Sequence, residues 1–145
     1  MKCNVNALRT FLRIYSVLSI VLFCGLLSGF LLRWPELRQD GGSFHWLIWD
    51  DITGHVGPML FVIYIVWAVF LFLAAGDPRR YASFLDFTIA ANLAHAVIMI
   101  RYAIGEHQYH SKFLTDIPWI LLLSGALLFW RPSYVTPASK ADSVI

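Results

Sequence analysis

The stretch that decides the fold is residues 81–101, which read YASFLDFTIAANLAHAVIMIR. It is long and apolar enough to cross the hydrocarbon core of a bilayer as one helix. It nevertheless carries three polar side chains, Asp86, Asn92 and His95. Such side chains are costly inside a membrane span unless they face protein or water. The stretch therefore predicts a membrane helix with one face turned toward the rest of the protein.

The composition of the whole chain is typical of an integral membrane protein. Of its 145 residues, 59% are hydrophobic and 14% are charged, whereas soluble domains average about 25% charged residues. The chain has six Trp, a residue enriched at the two membrane–water interfaces. The formal net charge of +2 is small and its charges are scattered, which gives no support to nucleic-acid binding.

Four apolar segments are each suited to a membrane-spanning helix. They are residues 11–32, 57–75, 82–102 and 113–130. We therefore predict an all-α fold, a four-helix transmembrane bundle with up-down topology and a short interfacial segment between the first and second spans. The bundle would occupy residues 1–132 as a single domain, and residues 133–145 would form a disordered cytoplasmic tail.

The distribution of basic residues predicts the orientation of the bundle, because cytoplasmic loops carry an excess of Lys and Arg. With four spans, both termini share a side with the turn between the second and third spans. That side holds seven of the basic residues and the other side holds four. We therefore predict a multi-pass protein with both termini in the cytoplasm.

A polar stripe runs along one face of the third span. Its members, spaced four, three, four and three residues apart, are Thr88, Asn92, His95, Met99 and Tyr102. This spacing is that of one helical face, so we expect the stripe to point into the bundle. Asp86 belongs to a different face, about one turn from the cytoplasmic end of the span.

Three interpretations of His95 stay open on the sequence alone. It could be a buried histidine that hydrogen-bonds across helices, with Asn92 helping to fix the third span. It could ligate haem or another metal, with Met59, Met99 or another subunit as the second ligand. It could also handle protons or contact a lipophilic ligand such as a quinone, since His changes charge near neutral pH. The candidates for ligand binding or proton handling are His95, Asn92, Asp86 and Met99.

The loop before the fourth span holds a second group of candidate residues. His107 and His110 are three positions apart, and Asp116 follows them. His and carboxylate side chains bind zinc, copper or iron, so these three residues are candidate metal ligands. The alternative is that these loop histidines are solvated. The sequence requires no cofactor.

No motif in the sequence defines a reaction, and an enzymatic role would rest on His95 and Asp86 alone. We predict a non-catalytic accessory or structural membrane protein. One alternative is a redox-linked or lipophile-binding protein that uses a buried His95, and another is a small transporter subunit. Gly25 and Gly29 form a small-residue pair on the first span, which predicts a contact with a second copy or a membrane-complex partner.

The order of features over about residues 57–132 resembles that of short bacterial four-helix membrane proteins of unknown function, of the BphX-like kind. A looser similarity is to DoxX-like four-helix proteins. The features that carry the resemblance are Ile63-Tyr64, the turn Ala74-Ala75-Gly76-Asp77-Pro78, Ala94-His95-Ala96 with Met99, and the run His110, Asp116, Pro118. The resemblance implies a four-helix protein of the bacterial inner membrane and singles out Asp77, Pro78 and His95. It implies no activity, although the DoxX-like comparison suggests a redox setting by analogy of fold.

Overall fold

The structure, a computed structural model, describes residues 5–49 and 54–130. Those residues form four α-helices and contain no strand. The helices are α1 (Val5–Leu31), α2 (Val56–Gly76), α3 (Ala82–Gly105) and α4 (Asp116–Phe129). Short 3-10 helices cover Pro35–Leu37, His45–Leu47 and His107–Phe113. The predicted all-α, four-helix fold is confirmed.

Each predicted span overlaps one helix, but several ends differ, and α3 continues to Gly105, three residues beyond its predicted end. α1 begins at Val5, six residues before the predicted start. The fourth span was predicted from residue 113, but regular α-helix begins only at Asp116 and is preceded by the 3-10 helix His107–Phe113. Together the two pieces form a 23-residue apolar helical segment, His107–Phe129. The predicted tail, residues 133–145, lies outside the described residues.

The outer surface of the bundle is apolar, which is the surface a membrane helix presents to lipid. All four helical segments are long and apolar enough to cross a membrane. Large aliphatic side chains on every helix are more than half exposed, namely Val21, Ile63, Val97 and Leu128. Soluble proteins rarely expose apolar surface of this extent, so the chain is a multi-pass membrane protein.

The helices pack as two pairs, α1 with α2 and α3 with α4, and α1 also approaches α4. We call the end of the bundle that holds the Asp77–Pro78 turn the turn side, and the opposite end the loop side. The turn-side half contains a packed core of residues contributed by all four helices. Its members that are at most 1% exposed are Leu8, Leu12, Leu71, Ala74, Ala75, Leu85, Leu123 and Leu127. This half holds the four helices together.

The first loop, residues 32–49, folds over the loop side. Leu37 and Ile48 are both 3% exposed and pack against Leu26 and Phe30 of α1. Gly29 makes this close approach possible, because a Cβ at that position would collide with Leu37 and lie 3.2 Å from the Trp34 ring. The loop is therefore part of the folded bundle, and its Leu47, Ile48 and Trp49 form a surface that we call the roof.

Candidate functional site

A cavity of about 860 Å³ occupies the loop-side half of the bundle. Residues of all four helices line it, and the roof residues Leu47, Ile48 and Trp49 cover it. Its volume falls in the range of about 300–1,000 Å³ that is common for small-molecule sites. Because the turn-side half is packed solid, the cavity divides the bundle into a filled half and a hollow half.

Four aromatic or amide side chains, one from each helix, form the bottom of the cavity, which we call the floor. They are Tyr15, Trp67, Asn92 and Trp119. Each lies nine or ten residues from the turn-side end of its helix, a rise of about 15 Å. The four therefore share one depth near the middle of the bundle, directly above the packed core.

Two hydrogen bonds and one ring contact hold the floor together. The Tyr15 hydroxyl donates to the Trp119 carbonyl oxygen at 3.2 Å, and the two rings stack with centroids 4.6 Å apart. The Trp67 indole donates from Nε1 to Thr88 Oγ1, also at 3.2 Å. Thr88 is fully buried, so this bond ties α2 to α3 just where the cavity begins.

Two other donors of the floor have no acceptor within the described part of the chain. They are Asn92 Nδ2 and Trp119 Nε1, and both atoms are buried. Asn92 itself is only 9% exposed. A buried donor without a partner typically costs about 1–3 kcal/mol, so the floor has an unused capacity to donate hydrogen bonds to whatever occupies the cavity.

One wall of the cavity carries a tyrosine–histidine contact between α2 and α3. The Tyr64 hydroxyl lies 3.4 Å from His95 Nε2, a long hydrogen bond whose direction depends on the imidazole tautomer. The Tyr64 ring also stacks on Phe23 of α1, with centroids 5.0 Å apart. A hydrogen bond between helices is therefore present at His95. The His95 side chain, however, is exposed rather than buried.

The exposure of His95 has a simple geometric cause. The buried stripe of α3 follows Thr88, Asn92, Ala96 and Met99, and His95 precedes Ala96 by one residue. One residue is a rotation of about 100° around an α-helix. His95 is thus at the edge of the buried face, where it borders the cavity, and the interpretation of His95 as a buried histidine does not hold.

The helices α2 and α3 both line the cavity. These helices are joined at the turn side but do not pack closely along the hollow half. Several cavity-lining residues on the two helices are exposed. They are Val56 and Leu60 on α2, and His95, Ile98 and Tyr102 on α3. We call the gap between these two helices the portal.

A buried lysine fastens the roof to the other wall of the cavity. Lys112 is fully buried, and its Nζ donates to the Trp46 carbonyl oxygen at 2.9 Å and lies 3.2 Å from Asp116 Oδ2. The same Asp116 oxygen accepts from Trp49 Nε1 at 2.7 Å. The ammonium also lies 5.2 Å from the centroid of the Trp49 ring, which packs on Tyr109. We call this group the latch.

A family model matches residues 15–140, with the description family of unknown function (DUF6632). The chain belongs to this family. The matched range includes α2, α3, α4 and most of α1, and so contains the floor, the roof and the latch. No match was found among curated proteins or among solved structures. Membership in DUF6632 carries no assigned activity, so a function has to be argued from the cavity.

The structure brings three of the four predicted ligand-binding residues together. Asn92, His95 and Met99 all line the cavity. Asp86 does not line it and lies four residues from the start of α3, on the turn side. The polar stripe therefore marks one wall of the cavity, and Asp86 belongs to another part of the bundle.

The predicted metal ligands are only partly grouped. The rings of His107 and His110 lie 4.6 Å apart between centroids. Asp116 bonds to Lys112 and Trp49 in the latch instead. Within residues 5–49 and 54–130, no three His, Cys, Asp or Glu side chains are placed to hold a metal ion together. The two methionines proposed as a second haem ligand lie in different places. Met99 lines the cavity, whereas Met59 is exposed and does not line it.

Sequence reasoning missed the aromatic members of the floor and the latch lysine. Tyr15, Trp67 and Trp119 stand out in the sequence only as aromatics, and nothing local shows that they share a depth. Lys112 was counted among the basic residues of a loop. The spacing of Lys112 and Asp116, four residues apart as in a helical ion pair, was the one signal that could have revealed the latch.

Proposed function

We propose that this chain is a membrane protein that binds a lipophilic molecule with a polar head, taken up from the surrounding bilayer. The observation that carries the proposal is the cavity of about 860 Å³, lined by all four helices and floored by Asn92 and three polar-tipped aromatics. Ligand sites are commonly concave and mostly apolar, with a few placed polar groups. The portal between α2 and α3 supports access from lipid.

Packing energetics also favour an occupied cavity. Protein interiors are close-packed, and side chains beside a void lose their van der Waals contacts on that side. The walls of this cavity are largely aromatic and aliphatic, including Phe23, Phe61 and Ile120. A bound apolar molecule would restore those contacts, while Tyr64, His95 and Asn92 would orient its polar end.

This proposal takes up the lipophile-binding alternative of the sequence analysis and needs no reaction. It is compatible with a non-catalytic accessory role, because a binding protein can deliver or sequester its ligand without changing it. The redox-linked and transporter alternatives stay predictions. So does the BphX-like resemblance.

We further propose that the protein resides in the bacterial inner membrane with both termini in the cytoplasm, as the distribution of basic residues supports. Self-association through Gly25 and Gly29 also stays a prediction. Gly29 is buried under Leu37 and Trp34 of its own loop, whereas nothing lies within 4 Å of the space beside Gly25. A contact with a second copy would therefore centre on Gly25.

Co-purification tests the binding proposal. Protein purified in mild detergent should carry one lipophilic compound at close to one molecule per chain, detected by mass spectrometry of the organic extract. Leu60→Trp narrows the portal and fills the cavity, so it should lose most of that compound. Ile63→Trp places the same ring on the lipid-facing side of α2, where Ile63 is 61% exposed, and should retain it. Equal retention by both variants, or an extract containing only bulk lipid, would contradict the proposal.

A further inference from the structure

We infer that the molecule bound in the cavity carries a neutral head with carbonyl-type oxygen acceptors, and that this head lies on the floor in the middle of the bundle. The inference rests on the proposed function, since it specifies the ligand of the same cavity. It is carried by two buried donors, Asn92 Nδ2 and Trp119 Nε1, that have no acceptor within the described residues.

The hydrogen bonds within the floor leave two buried donors unpaired among the described residues. The Trp119 carbonyl oxygen already accepts from Tyr15, and Thr88 Oγ1 already accepts from Trp67. An indole N–H can only donate, and a side-chain amide offers two donor hydrogens. The ligand group that satisfies these donors must therefore supply acceptors. A carbonyl oxygen has two lone pairs and supplies such acceptors.

The charges around the cavity favour a neutral head over an anionic one. Glu106 and Asp116 are the acidic side chains among its lining residues, and no Lys or Arg of the described chain lines it. The nearby ammonium of Lys112 is already bound to Asp116 and to the Trp46 carbonyl. His95 is the one lining group that could become cationic, but it lies in the wall. A carboxylate or phosphate would thus meet a floor without a fixed positive charge.

The depth of the floor argues against an ordinary membrane lipid as the intended ligand. The floor is about 15 Å from the turn-side ends of the helices. The cavity extends from the floor toward the loop side only. A phospholipid would have to carry its charged headgroup from the surface to the middle of the hydrocarbon region, where ionised groups are strongly disfavoured. A long-chain ketone or a quinone can place its carbonyl there and leave its chain in the portal.

A matched series of probes tests this inference. Delipidated protein in detergent is titrated with a long-chain methyl ketone, with the alkane of equal length and with the fatty acid of equal length at neutral pH. The ketone should bind more tightly than the alkane by about fivefold per hydrogen bond, the equivalent of about 1 kcal/mol. It should also bind more tightly than the ionised fatty acid. With carbon-13 at the carbonyl, the infrared C=O stretch of the bound ketone should fall below its value in empty micelles.

Two variants with a matched control locate the donors. Asn92→Leu and Trp119→Phe each remove one free donor, and each should reduce the ketone's advantage over the alkane about fivefold and reverse part of the infrared shift. Trp46→Phe removes an N–H that is bonded to the Ser43 carbonyl oxygen, and its side chain does not line the cavity, so it should leave both readouts unchanged. Thermal unfolding of each variant checks its fold, and either donor variant suffices if the other is unstable.

The outcomes separate this inference from the binding proposal. If ketone and alkane bind equally and Leu60→Trp abolishes both, the cavity binds lipophiles but does not select the head, and the inference is wrong. An unshifted C=O band in the bound ketone would overturn it as well. If none of the three probes binds, the proposed function fails and the inference with it.

Discussion

Gly29 determines how closely the first loop approaches α1. Its missing side chain provides the space occupied by Leu37 and the edge of Trp34. Gly29→Val should therefore push the loop away from the helix and lower the free energy of unfolding by about 1–3 kcal/mol, the usual effect of overpacking a tight contact. Chemical denaturation in detergent followed by circular dichroism would measure it.

Gly25 provides the matched control one helical turn away. The space beside it is open, so Gly25→Val should change the free energy of unfolding by less than about 0.5 kcal/mol. Similar losses for both variants would show that helix propensity, rather than contact with the loop, explains the effect. A large loss for Gly25→Val alone would indicate a contact with another subunit at that face.

Single residues of α3 show how far helical spacing can be trusted. Spacing correctly predicted that Thr88, Asn92 and Met99 share the buried face. It misplaced His95 and Tyr102, which are exposed, because a stripe drawn through alternating three- and four-residue steps includes positions at its edge. Spacing along one helix also contains no information about the other helices, so the unpartnered state of Asn92 Nδ2 could not be anticipated.

At the scale of elements, the latch connects the first loop to the segment between α3 and α4. Lys112→Met keeps the length of the side chain but removes its ammonium, which leaves the Trp46 carbonyl without this donor. Loss of one partner from a buried ion pair costs about 3–5 kcal/mol. Asp116 is 30% exposed, and solvent reduces that cost, so we expect a loss of about 1–3 kcal/mol.

The same substitution should loosen the roof. Trypsin should cleave after the exposed Arg38 faster in Lys112→Met than in the unmodified protein, as followed by gel electrophoresis at low protease concentration. Asp40→Asn serves as the control, because it removes the exposed pair Arg38–Asp40, which is worth about 0–1 kcal/mol. Equal cleavage rates in the three proteins would mean that the latch does not hold the roof.

The helices themselves were largely predictable, because a continuous apolar run of sufficient length is a strong signal for a membrane span. The start of α4 was less predictable. Hydropathy does not distinguish the tighter 3-10 helix His107–Phe113 from an α-helix. The role of the first loop was also hidden, since its Leu37 and Ile48 are apolar residues whose burial depends on contacts with Leu26 and Phe30, distant in sequence.

For the whole molecule, the distribution of basic residues predicts how the bundle is inserted. A fluorescent protein fused after residue 145 should fold and fluoresce in bacterial cells, because it would remain in the cytoplasm. Alkaline phosphatase inserted after Gln39, in the first loop, should be active because it would reach the periplasm. An active phosphatase at the C-terminus would reverse the predicted orientation, although the fold and the cavity would be unaffected.

The hollow half of the bundle could not be predicted from the sequence. It exists because α2 and α3 do not pack closely against each other, although one hydrogen bond joins Trp67 to Thr88. The sequence predicted that a polar face points inward. Whether that face meets another helix or an open space depends on the relative placement of all four helices.

The position of the cavity on one side of the floor has a consequence for membranes whose two leaflets differ in composition. The portal spans only the loop-side half of the bundle, so it borders one leaflet, while the packed core fills the other. Exchange through the portal would draw only on molecules in the first of these leaflets. The orientation of the chain would then determine on which side its loops are exposed. It would also determine from which leaflet the protein can bind a ligand.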